Sequence, residues 1–240
     1  MSQKIQSSAA APEEIPECPQ CGKPMPLCIC DSIEPLDSKI ELLILQHPQE
    51  QDRLLGSARL TALHFQNATL KIGLSWPSLS KALGRTVDPS RWAILYLGSS
   101  KVADLATEAD IVAIDRKGEI EEGQRAIFKD IEGVILLDGT WSQAKALWWR
   151  NAWMLKCRRV ILGPAHPSLY GKLRREPRGD GLSTIEAAAM LLGRLNKSEQ
   201  IETTLLGAFE RMLARYRQVQ AITPAIAPKP KKRDWRRKRK

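Results

Sequence analysis

Residues 133–143 read Gly-Val-Ile-Leu-Leu-Asp-Gly-Thr-Trp-Ser-Gln. Val134–Leu137 are four branched apolar residues in a row, the pattern of a strand buried on both faces. Asp138-Gly139 then breaks the run. Thr140 and Gln143 form a T-x-x-Q capping box, which predicts a helix over Trp141–Trp149. A buried strand that turns directly into a capped helix is the building unit of an α/β fold.

Outward from this unit the same alternation continues. Upstream, strands are predicted at Ile40–Gln46, Ala68–Ile72, Trp92–Leu97 and Asp110–Ile114, and helices at Arg53–Phe65 and Gly123–Ile131. Downstream come a short strand at Val160–Leu162, a long Gly-, Pro- and Arg-rich loop over 163–182, and two helices. In the first helix Ile185, Ala188, Ala189 and Leu192 share a face; in the second Ile201, Leu205, Phe209, Met212 and Tyr216 do. The expected fold class is therefore α/β, a mostly parallel sheet flanked by helices. The expected organisation is a disordered stretch over 1–17, a cysteine knuckle over 18–36, the α/β domain over 37–221, and a Pro-rich linker with a basic tail over 222–240.

Cys18, Cys21, Cys28 and Cys30 lie in C-x2-C-x6-C-x-C spacing. The first twenty residues hold no apolar core stretch, so no export signal is expected and the compartment is read as reducing and cytoplasmic. Clustered cysteines there suit zinc, which takes four soft ligands in a tetrahedron. Four thiolates leave no open position, so the Zn2+ would be structural. Free thiols, a redox pair and an iron–sulfur cluster are the other readings of this spacing. Cys157 stands alone and reads as a small buried residue.

The chain has 240 residues, 43% of them hydrophobic and 27% charged, and a net charge of +10. That length supports a sizeable core without disulfides, and no apolar run reaches the roughly 18 residues of a membrane span. The charge is concentrated. Residues 229–240 and residues 145–178 each hold nine Lys/Arg against one acid, whereas the remainder carries 19 basic and 25 acidic residues. Two basic zones on an acidic body point to a polyanion, nucleic acid first. A solubilising tail and a solvated helix face are the alternative.

In open α/β sheets ligands bind beyond the carboxyl ends of the strands, and several chemical groups fall there. Asp138 ends a strand, where it either faces a ligand or bonds turn amides. His47 ends another, in LILQHPQE, as a packing or capping group or as a contact. Ser183 and Glu186 form an S-x-x-E capping box after Gly179-Asp180-Gly181, and such a helix start also suits an anion. Tyr170, Lys172, Arg174, Arg175 and Arg178 combine an aromatic ring with four cations, a set able to stack a base and hold phosphates. The tryptophans at 141, 148, 149 and 153 read as core rather than as base platforms.

Taken in order, the C-x2-C…C-x-C knuckle, LILQHPQE, LLDGTWSQAKAL, the Tyr170…Arg174…Pro177 loop and GLSTIEA resemble the DTW domain family over about residues 18–215. Its Asp-x-Thr-Trp motif is matched by Asp138, Thr140 and Trp141. Ala152 stands where members often have proline. The resemblance implies a fold similar to the knotted SPOUT-type methyltransferases. It implies a tRNA-uridine aminocarboxypropyltransferase, which moves the 3-amino-3-carboxypropyl group of S-adenosylmethionine to N3 of a tRNA uridine and releases 5′-methylthioadenosine. Asp138 would then be the catalytic base or proton-orienting group. Asp138, Thr140, Trp141, Leu182, Ser183, Thr184 and Glu186 would line the S-adenosylmethionine site. His47, Lys145, Tyr170, Lys172, Arg174, Arg175 and Arg178 would meet the tRNA. An RNA methyltransferase using the same donor and a non-catalytic zinc-containing RNA-binding module are the alternatives. Neither a membrane nor an obligate protein partner is expected.

Overall fold

The computed structural model describes residues 15–96, 111–163, 168–171, 173 and 181–222. In chain order the elements are β1 (Glu41–Gln46), α1 (Ala58–Leu63), β2 (Ala68–Ile72), α2 (Leu79–Leu83), β3 (Trp92–Leu95), β4 (Ile111–Ile114), α3 (Gln124–Asp130), β5 (Gly133–Asp138), α4 (Trp141–Arg150), β6 (Arg158–Leu162), α5 (Thr184–Asn196) and α6 (Glu199–Ile222). The six strands form one sheet in the order β2-β1-β5-β3-β6-β4. All pairings are parallel except that of the edge strand β4 with β6.

Successive side chains of a strand point to opposite faces of the sheet, and both faces are covered here. Leu42, Ile44, Val134 and Leu136 join α1, α5 and α6 in one core. Leu43, Leu45, Trp92, Ile94 and Ile135 meet α2 and the 3-10 turn Ala152–Lys156 in the other. This two-sided burial explains why β1 and β5 are continuously apolar in sequence. Gly133 is required where β5 passes under Trp92, because a Cβ there would lie 2.5 Å from the indole ring. At the α4 exit, Ala152 does not disturb the turn: the Asn151 side chain bonds the Leu74 and Leu147 carbonyls and the Trp76 amide.

Two expectations change. The helix expected over Arg53–Phe65 is helical only at Ala58–Leu63. Upstream of it, Lys23 Nζ bonds the Leu54 and Gly56 carbonyls and the Tyr170 hydroxyl bonds that of Leu55. Those carbonyls are thereby committed to tertiary partners rather than to a helix ladder. Pro16 and Glu17, expected to be unstructured, are paired instead: Met25 N–H donates to the Pro16 carbonyl and Glu17 bridges to Pro24. The basic tail, the first fourteen residues, and most of the connections after β3 and β6 on which a knot would depend lie outside the described residues.

Candidate functional site

The register of the sheet builds the site. Gln46 and Asp138 are the last residues of the neighbouring strands β1 and β5 and are paired directly. Both are buried, at 4% and 9% exposed. Gln46 Nε2 donates to Asp138 Oδ2 at 2.8 Å. The Thr184 hydroxyl, at the start of α5, donates to Asp138 Oδ1. His47 N–H donates to the Asp138 carbonyl at 2.9 Å. Asp138 and the Ser183–Thr184 turn therefore meet, although they are far apart in sequence. A carboxylate can accept about four hydrogen bonds, so Asp138 keeps acceptor capacity beyond Gln46 and Thr184.

The two capping boxes are both formed. Thr140 N–H donates to Gln143 Oε1 at 2.6 Å at the start of α4. Gly139 lets this turn close, because a Cβ there would fall 2.8 Å from Gln143 Cβ and 3.5 Å from His47 Cβ. At α5, Ser183 Oγ accepts from Glu186 N–H. Glu186, fully buried, accepts from Ser183 N–H and Ser168 Oγ at 2.8 Å each and from Leu169 N–H at 2.7 Å. Ile185 N–H donates to Ser57 Oγ at 3.3 Å.

These contacts correct three sequence readings. Glu186 is fully buried and its carboxylate already accepts from three donors of the chain, so its role is to build the turn. The amides of Ile185 and Glu186, which an anion at the helix start would use, already donate to Ser57 and Ser183. Tyr170 is 2% exposed, with its hydroxyl on the Leu55 carbonyl at 2.6 Å and its ring edge-on to Phe209 at 4.9 Å. A ring so enclosed anchors the loop and has no free face for a base. Leu182 packs against the core and Ser183 caps α5. Lys172, Arg174, Arg175 and Arg178 lie outside the described residues. His47 Nδ1 accepts from Gln49 N–H at 3.3 Å, capping the 3-10 turn Pro48–Glu50 beside Asp138. Trp141 is partly exposed and carries Lys145 Nζ 5.3 Å from its ring centroid, so its face already holds a cation.

Sequence reasoning missed Gln46 and Ser57. The signal for Gln46 was available: a polar residue closing an otherwise apolar strand, in register with the acid. Ser57 gives no local signal, because its partner lies in α5.

The knuckle brings Cys18, Cys21, Cys28 and Cys30 together, with all four sulfurs within 4.8 Å of one another. Cys18–Cys30 and Cys21–Cys28 are 3.8 and 3.9 Å apart. Four sulfurs about 2.3 Å from a tetrahedral centre stand roughly 3.8 Å apart, whereas a disulfide needs about 2.05 Å. The spacing fits a structural metal ion. Backbone hydrogen bonding from Cys21 holds the Cys18 thiol down at about 6, while burial pushes the Cys28 and Cys30 thiols up. Cys157 is buried, which raises its thiol to about 12. Arg215 Nε and Arg211 Nη2 bond knuckle carbonyls at Pro26 and Ser32, and Leu27 packs on Tyr216 and Val219. Between the knuckle and the 50–59 segment lies a cleft of about 130 Å³, with Gln46, Lys23, Arg53 and Arg59 in its wall. Burial lowers the Lys23 ammonium to about 8.

The chain has relatives among known proteins. The DTW domain model matches residues 15–217. The chain is 29% identical to tRNA-uridine aminocarboxypropyltransferase 2 of Mus musculus, over 95% of this chain and 76% of that protein. It is 30% identical to the protein of the same name from Macaca fascicularis, over 80% of this chain and 60% of that protein. It is 25% identical to tRNA-uridine aminocarboxypropyltransferase A of Arabidopsis thaliana, over 89% and 84%. No solved structure matches. Among the described residues no helix is long and apolar enough to cross a membrane.

Proposed function

The chain belongs to the DTW domain family, and from that premise we propose that it is a tRNA-uridine aminocarboxypropyltransferase acting in the cytoplasm, with S-adenosylmethionine as donor and N3 of a tRNA uridine as acceptor. One observation carries the reading. The carboxylate of the family motif, Asp138, is held between Gln46 and Thr184 at the carboxyl ends of two adjoining strands, where α/β sheets bind their ligands.

S-adenosylmethionine supplies an electrophilic carbon next to a sulfonium. The residues of the chain do the rest. Asp138 takes or orients the N3 proton of the uridine as N3 attacks; Gln46 and Thr184 fix which way its free lone pairs point. Trp141 offers a ring face to positive charge, the role Lys145 now fills. Glu186, Ser183 and Ser57 fix the start of α5 so that Thr184 stays on Asp138. Choice of the aminocarboxypropyl carbon over the methyl is set by orientation, since the attacking nitrogen must lie in line with the bond that breaks. The four-cysteine knuckle holds Zn2+ and fixes the segment 50–59 through Lys23.

The test is the by-product. Incubation with S-adenosylmethionine and tRNA yields 5′-methylthioadenosine and an aminocarboxypropylated uridine by mass spectrometry. Release of adenosylhomocysteine instead would make the chain a methyltransferase. Neither product, with tRNA bound, would make it a binding module.

A further inference from the structure

The outer face of α4 does not behave as the sequence pattern suggests. Of the tryptophans at 141, 148, 149 and 153, only Trp153 is buried, with Nε1 on the Trp76 carbonyl at 2.9 Å. Trp149 is 78% exposed, the highest value for any tryptophan among the described residues. A large ring left in water contributes little to folding; one exposed apolar residue is common on its own, and only its surroundings can give it a function.

Its surroundings supply one. At ~100° per residue, Trp148, Trp141, Lys145 and Trp149 fan across one side of α4, with Lys145 between the rings. Lys145 is exposed, and Arg150 follows Trp149, also exposed. On the far flank the Arg159 guanidinium lies 5.4 Å from the Tyr96 ring and 5.5 Å from the Trp148 ring. Lys145 thus lies between the Trp141 and Trp149 rings, and Arg159 lies beside the Trp148 ring. No acid occurs anywhere in residues 139–163, and no carboxylate among the described residues pairs with Lys145 or Arg150.

We propose that this face is a docking surface for the single-stranded part of an RNA, with Trp149 stacking on a nucleobase and Lys145 and Arg150 on flanking phosphates. Neighbouring aromatic and cationic groups give stacking and phosphate attraction together, whereas protein interfaces are depleted in lysine. The geometry also fits the site. Trp149 stands about 12 Å along the helix axis from Trp141, beyond reach of the base that Asp138 would receive and within reach of its neighbours in the strand. That the RNA is tRNA rests on the proposed function; the surface itself does not.

The experiment uses the full chain and unfractionated tRNA. Trp149→Ala should weaken binding about tenfold, and Trp149→Phe, which keeps a ring, by about threefold or less. In turnover, Trp149→Ala should raise KM for tRNA about tenfold while kcat falls about twofold or less. Lys145→Gln with Arg150→Gln should flatten the plot of log affinity against log salt by about 1.5, at roughly 0.7–0.9 per lost phosphate contact. Wild-type affinity and salt slope in these variants would overturn the proposal. So would a wild-type dimer that Trp149→Ala splits with tRNA affinity intact, which would make the face a contact between copies of the chain. If the wild-type chain makes no 5′-methylthioadenosine but Trp149→Ala still loses tRNA, the proposed function falls and the docking surface stands.

Discussion

The starts of α4 and α5 carry the same device and do different work. Each is a capping box, T-x-x-Q at Thr140 and S-x-x-E at Ser183. At α4 the box is half exposed, and Gln143 reaches outward to Gln49 Oε1 at 3.1 Å. At α5 it is buried. Glu186 gathers the amides of Leu169 and Ser183 and the Ser168 hydroxyl, Ser57 takes the Ile185 amide, and Thr184 reaches Asp138. A local motif fixes where a helix begins. What that beginning then does depends on the third element it meets, here the end of β5.

The largest effect that would test this difference is on Glu186. Glu186→Ala removes a buried acceptor from three donors, and urea unfolding should register a loss of about 3 kcal/mol. Metal removal should separate the two starts next. Lys23 ties the knuckle to the carbonyls on either side of Leu55, and Ser57 lies one residue beyond. Chelation should therefore cost the amide of Ile185 about 2 kcal/mol of local stability in hydrogen exchange, with little change at Ala144 in α4. Equal loss at both would erase the distinction. Thr184→Val and Gln46→Leu each remove one bond to Asp138; each should lower kcat about tenfold, close to 1.4 kcal/mol, with KM for tRNA nearly constant. Smallest is Gln143→Ala, about 0.7 kcal/mol of stability from the weaker box. A larger loss there than at Glu186 would reverse the comparison.

Much of this was readable from residue order. Val134–Leu137 and Leu42–Leu45 announce a two-sided sheet because parallel strands buried on both faces leave no room for polar alternation. Asp138 stood out because it ends such a strand without an evident capping role, and the cysteine spacing announced a four-sulfur cluster. Other features could not be read. Periodicity places Trp149 and Trp153 on one stripe but does not say where α4 stops. It gives way at Arg150 to a 3-10 turn that buries Trp153 and leaves Trp149 outside. Tyr170 sits among cations in sequence, yet Phe209 and the Leu55 carbonyl draw it into the core. The helix forecast from Arg53 failed for the same reason, since Lys23 and Tyr170 occupy carbonyls whose partners lie far away in the chain.

The central claim is that Asp138, held by Gln46 and Thr184, is the group on which the transfer turns. Single-turnover transfer to tRNA by Asp138→Asn, followed by mass spectrometry of the nucleosides, addresses it most directly. Asparagine fits the same space and can still accept from Gln46. A fall in rate of about a hundredfold or more, with tRNA affinity and unfolding midpoint near those of the parent chain, is the predicted result. An unchanged rate would contradict it.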